Sequence, residues 1–204
     1  MALDIVSEKF NEWTKGLDNL QSRIAVFNNI RDIPYALVPE ILDTHEWACS
    51  ILKNEKGSCS PKHVLLGYMF TRLGIQVKYG VYPFSWDNPL IKYLDDLRKL
   101  SKIIPLGYHC ALRVYINGRW VLADATWDPF LERLGFPVNK GWDGVNDTLN
   151  AVKALDEILF DTAQERMEYA RMKKSTFNEK EKLSYAEFIN KFNEWLIKER
   201  ADGK

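Results

Sequence analysis

Cys59, His109 and Asp124 supply, in that chain order, a nucleophile, a base and a group to orient the base. A thiolate can attack a carbonyl, an imidazole can share and later deliver the proton, and a carboxylate can fix the imidazole tautomer. The three lie 50 and 15 residues apart, so only a fold can bring them together. Local context favours Cys59 among the three cysteines. Gly57-Ser58-Cys59-Ser60-Pro61 reads as a turn opening a helix, with serine oxygens for capping and a proline suited to the first turn. Val64, Leu65, Tyr68, Met69 and Leu73 then recur at helical spacing, and Gly74 fits the left-handed residue that ends a helix. A cysteine at that helix start feels the positive end of the dipole, which favours thiolate over thiol. The competing reading is a small buried hydrophobe, the usual fate of a free cysteine.

The base and its orienter are placed by a hairpin. Tyr108–Ile116 and Arg119–Thr126 flank Asn117-Gly118, the strongest short hairpin signal. With a two-residue turn, 116 faces 119, 111 faces 124 and 109 faces 126. His109 and Asp124 are then diagonal neighbours on one face, ~7–8 Å apart at the backbone and within side-chain reach. Ala111, opposite Asp124, leaves room for the imidazole.

The remaining elements must carry these groups. Residues 5–30 show apolar side chains at steps of three and four, a helix or a pair broken at Gly16. Ile33-Pro34-Tyr35 is an extended connector, and Pro39–Leu52 reads as a second helix. After Gly74 the period switches to two, giving a strand from Ile75 toward Phe84. Asp87-Asn88-Pro89 looks like the start of a helix running to Leu100. The stretches 148–174 and 179–200 read as charged helices whose charge runs are solvated faces. Lys-Phe-Asn-Glu-Trp occurs at 9–13 and again at 191–195, which marks two similar amphipathic helices rather than a repeat architecture.

In combination, Gly57-x-Cys59 on a helix, Leu73-Gly74-Ile75 opening a strand, and His109 … Asn117-Gly118-x-Trp120-Val121-x-x-Asp124-x-Thr126 resemble the transglutaminase-like superfamily. The resemblance covers residues 33–129. It implies an α+β fold with a papain-like core, the Cys-bearing helix packed on an antiparallel sheet, and extra N- and C-terminal helices around it. It also implies that Cys59 is the nucleophile, His109 the base and Asp124 its orienter. Many members carry Trp two residues after the histidine and an acidic residue two further on; here these are Ala111 and Arg113, a departure that bears on substrate. The second oxyanion donor is expected upstream, at Tyr35 or Trp47. Arylamine N-acetyltransferases share the Cys, His, Asp order, but Lys56-Gly57 stands where they would carry Gly-Gly.

Composition bounds the rest. The chain has 204 residues, 46% hydrophobic and 27% charged, enough for one good core, so 1–204 is expected to be a single domain with a helical C-terminal extension over 145–204. With 28 basic and 28 acidic residues there is no general electrostatic pull toward nucleic acid or anionic membrane. Three cysteines without paired spacing suggest a reducing compartment, and Met1–Phe10 lacks the apolar run of a signal peptide, so a cytoplasmic protein is expected. No cofactor and no metal are expected, and the expected partner is a protein or peptide amide substrate. Two rival readings are a catalytically silent interaction module and a zinc site built from His45-x-x-x-Cys49 and Cys59-x-x-x-His63.

Overall fold

The computed structural model describes residues 4–203; Met1–Leu3, part of the segment expected to lack a signal peptide, lie outside them. The chain begins with a helix pair. α1 (Ile5–Thr14) is capped by Asp4, whose carboxylate accepts from Val6 N and Ser7 N. Gly16, at φ +75°, breaks the pattern, and Asp18 opens α2 (Asn19–Asp32) with a capping box to Gln21. The next helix starts later than its apolar spacing suggests. Asp43 accepts from Glu46 N and fixes α3 at Thr44–Asn54, so residues 39–43 lie outside the helix.

α4 (Cys59–Arg72) follows, and Gly74, at φ +75°, turns the chain into β1 (Val77–Phe84). Gly67 lets α4 lie close on the sheet: a Cβ there would sit 2.2 Å from the Tyr79 hydroxyl of β1. The helix expected from Asp87 is confined to α5 (Asp95–Ser101). Ahead of it Asn88 Oδ1 accepts from Leu90 N at 3.0 Å, and Arg98 Nη1 binds the Asn88 carbonyl at 2.7 Å. These bonds satisfy the backbone without a helix.

β2 (Gly107–Ile116) and β3 (Arg119–Ala123) form the hairpin in the register read from the turn, from Ile116 opposite Arg119 to Leu112 opposite Ala123. Asn117 and Gly118 both have positive φ, 52° and 82°, as a two-residue primed turn requires. Beyond a 3₁₀ helix at Pro129–Leu134, the largest difference from the sequence reading appears. Residues 148–162 are not helical; Ile158–Phe160 form β4, which pairs with β1. The sheet is therefore four-stranded and antiparallel, in the order β3-β2-β1-β4. Leu155 and Leu159 are 65% and 42% exposed, so no buried apolar face runs through this stretch. Helix begins at the Thr162 capping box, giving α6 (Ala163–Ser175), and Asn178 caps α7 (Glu179–Asp202).

Two large apolar cores result, with a small third cluster of Tyr82, Ala111 and Leu122. α1–α4 cover one face of the sheet through residues such as Phe27, Ile51, Leu65, Phe70, Leu112 and Val121. The second gathers Phe188, Phe192 and Trp195 of α7 against Tyr35, Phe84, Trp86 and Trp127. Both copies of the repeated pentapeptide are helical, in α1 and α7. No helix of the described residues is long and apolar enough to cross a membrane.

Candidate active site

The α+β arrangement brings Cys59, His109 and Asp124 to one place. Cys59 is the first residue of α4, while His109 comes from β2 and Asp124 follows the end of β3. Beyond Ala123 the chain leaves the ladder, and Asp124 N donates to Thr148 Oγ1 instead of a strand partner. Its carboxylate still lies on the face of His109, and His109 Nε2 bonds Asp124 Oδ2 at 2.8 Å. Cys59 and His109 line a cleft of about 220 Å³ between the two cores, walled by Tyr35, Trp47, Trp127 and Arg166.

The helix start differs from its expected form. Ser58 makes no side-chain cap, and the Ser60 hydroxyl accepts from Arg166 Nη1 at 2.8 Å. The first N–H groups of α4 therefore keep their unbonded positive end beside the thiol. Burial raises the Cys59 pKa, but the His109 imidazole, Arg166 and the backbone N–H of Cys110 outweigh it and bring it to about 7. Burial also works against charge on His109, yet the Asp124 carboxylate and Cys59 raise its pKa to about 9. The other thiols behave oppositely. Burial pushes Cys110 up to about 12 and raises Cys49.

Asp124 is fully enclosed. Oδ1 accepts from Thr126 N at 3.2 Å and from the Thr126 hydroxyl at 2.5 Å, and Oδ2 accepts from Ala151 N at 2.7 Å in addition to His109. Burial disfavours its charge, but His109, His63 and Thr126 hold its pKa at about 2.

His63, a zinc ligand in the rival reading, is buried within the site. Its Nδ1 bonds the Cys59 carbonyl at 2.8 Å, and its Nε2 accepts from Ala125 N at 3.0 Å. The ring is thus neutral with the proton on Nδ1, and burial depresses its pKa to about 4. It joins the carbonyl of the cysteine to the strand end beside the aspartate. The spacing of four from Cys59 carried that signal, one helical turn apart. His45 instead contacts Cys49 at 3.6 Å, and among the described residues no three His, Cys, Asp or Glu side chains are arranged to hold a metal.

Two further basic residues are buried, one structural and one facing the site. Lys62 is buried and donates to Arg31 O at 2.9 Å and Thr126 O at 2.7 Å, tying α2 to α4 and the exit of β3. Arg166 stands on the buried inner face of α6. Of the upstream candidates for an oxyanion donor, the Trp47 indole N–H is committed to Pro39 O at 3.2 Å, while Tyr35 lines the cleft and packs on Trp127.

No family model and no curated protein matches the sequence. Among solved structures the chain is similar to a candidate cysteine protease from Cytophaga hutchinsonii, at 18% identity and a TM-score of 0.43, covering 78% of this chain and 46% of that one. It is also similar to the arylamine N-acetyltransferase of M. tuberculosis, at 19% identity and a TM-score of 0.43, covering 72% of this chain and 51% of that one. The chain thus spans about half the length of the solved structures it is compared with.

Proposed function

We propose that this chain is a cysteine-dependent acyltransferase or amidohydrolase of transglutaminase-like type, acting on a protein or peptide amide. One observation carries the reading: His109 Nε2 is bonded to a buried Asp124 carboxylate at 2.8 Å in the same cleft as a thiol at an uncapped helix start. Because the carboxylate only accepts, Nε2 carries a proton and Nδ1 serves the thiol. The Cys59 thiol passes its proton to Nδ1, and the thiolate adds to the substrate carbonyl carbon. The resulting oxyanion is met by the backbone N–H of Cys59. The C–N bond breaks as imidazolium gives its proton to the leaving amine, which leaves a thioester on Cys59. A second nucleophile, water or an amine, loses a proton to His109 and attacks the thioester. The C–S bond breaks and the proton returns to the sulfur. Every proton and electron pair is accounted for by the enzyme, the amide and the second nucleophile.

The test is intact-protein mass spectrometry of the chain incubated with peptides bearing glutamine amides or internal peptide bonds, quenched in acid. An acyl adduct on Cys59, absent in Cys59→Ala and lost on adding an amine, is expected. Turnover of such amides by Cys59→Ala at the native rate would end the reading.

A further inference from the structure

The cleft holds positive charge that the triad does not use. The inner face of α6 presents Arg166 and, two turns on, Lys174 to the cavity that contains Cys59 and His109. Arg166 is only 3% exposed, yet no carboxylate pairs with it among the described residues. Its guanidinium donates from Nη1 to the Ser60 hydroxyl and from Nη2 to the Tyr108 carbonyl, both at 2.8 Å, and Nε has no partner. All its partners are therefore neutral. Lys174 is half-buried in the same wall and makes no ion pair among the described residues. Glu40, the one acidic residue among the described residues of the lining, is already held by Arg171 at 2.7 Å.

A buried guanidinium left with neutral partners is costly unless an anion meets it. In the resting site the Cys59 thiolate supplies part of that charge. Once the thiol is acylated the sulfur is neutral, and Arg166 and Lys174 then face the acyl group without a counter-ion. Arg in this setting suits a carboxylate, whose two oxygens match its forked N–H groups.

We propose that Arg166 and Lys174 form a carboxylate-binding subsite, so that the amide substrate carries a carboxylate close to the bond attacked by Cys59. The proposal rests on the thiol acyl-transfer reading of this cleft. The carboxylate can come from an acidic side chain or from a free chain terminus; both present the same chemistry to the subsite.

Alkylation of Cys59 separates the proposal from the reading beneath it. Iodoacetate and iodoacetamide differ by one carboxylate, and the ratio of their rates at one pH cancels the thiolate fraction. A cleft lined by one sign of charge raises the local concentration of counter-ions about ten-fold or more. The ratio, divided by that of free cysteine, is therefore expected to be about ten in the native chain. It should fall several-fold in both Arg166→Gln and Lys174→Gln. Fast iodoacetamide labelling with a ratio at or below that of free cysteine, or one unmoved by both substitutions, overturns the subsite and leaves the nucleophile standing. Calorimetric binding to Cys59→Ala keeps the test independent of thiol reactivity. N-acetylglutamine, with a terminal carboxylate, and N-acetylglutamic acid amide, with a side-chain carboxylate, are compared with N-acetylglutamine amide. Tighter binding of one anion identifies the source of the carboxylate, provided Lys174→Gln weakens it. Equal binding of all three overturns the proposal.

Discussion

Asp124 Oδ2 lies 2.8 Å from His109 Nε2, which leaves Nδ1 as the imidazole nitrogen available to Cys59. The pairing also explains why the two partners shift in opposite directions. Asp124 holds His109 protonated up to about pH 9, and the imidazolium in turn helps bring the thiol down to about 7. Between these values the thiolate–imidazolium pair is the dominant form.

The first prediction is a pH profile. Iodoacetamide labelling of Cys59 should rise through about pH 7, while turnover, which needs imidazolium to protonate the leaving amine, should fall again as His109 loses its proton near 9. Cys49 and Cys110 should label later, because burial raises both. Peptide mapping of the alkylated protein distinguishes the three; Cys110 reacting first would contradict the geometry.

Asp124→Asn should cost about 10⁴ in rate, because an amide favours the wrong imidazole tautomer. Stability should drop as well. The carboxylate accepts from Thr126 N, the Thr126 hydroxyl and Ala151 N besides His109, and an amide nitrogen must face one of these donors. Leaving one such buried group unpaired costs about 1–3 kcal/mol. Urea denaturation of the variant reads this loss, and an unchanged midpoint would show that the network relaxes freely.

His63 should set the acid limb of the stability–pH curve. Folded His63 has a pKa of about 4 against an ordinary 6.5, so the unfolded chain binds a proton that the folded chain refuses. Stability therefore falls as pH drops from 6.5 toward 4. His109 has the opposite sign, its contribution full below 6.5 and lost as pH rises through about 9, but Cys59, lowered to about 7, gains stability over much of the same window and offsets it. Denaturant unfolding from pH 4 to 7 checks the acid limb. His63→Gln, which does not titrate there, should have a flatter acid limb.

Tyr35→Phe should lower kcat by about 10²-fold with little change in KM, the cost of one oxyanion donor. Burial holds the Tyr35 hydroxyl protonated far above its ordinary pKa, so it remains a donor wherever the thiolate forms. Steady-state kinetics of the Phe variant reads the effect. A change confined to KM would assign Tyr35 to substrate packing instead.

Much of the site was legible because it depends on local rules. Asn117-Gly118 dictates a two-residue turn, and the turn puts His109 and Asp124 on one side; the ladder ends at Ala123, and bonds to Thr126 and Ala151, which spacing does not show, hold the carboxylate in contact. Cys59 was marked by the helix signals around it. Residues 148–162 were misread because their charges and scattered leucines mimic a helix; pairing of β4 with the edge of β1 is non-local and overrides that pattern. The same limit hid Arg166 and Lys62. A charged residue on an apolar face looks like an imperfection until the carbonyls and hydroxyls that receive it are assembled from distant segments.

The position of Asp128 ties the end of the chain to the chemistry. Its carboxylate receives Tyr35 N at 2.7 Å and, from the last turns of α7, Arg200 Nη2 at 2.6 Å. Tyr35 in turn packs on Trp127, and both stand in the cleft wall. The terminal helix is therefore a brace: a chain clipped before Arg200 keeps Cys59, His109 and Asp124 but leaves the Asp128 carboxylate without its cation. Damage at the last few residues is then felt as a slackened wall beside the thiol, some 140 positions away along the backbone.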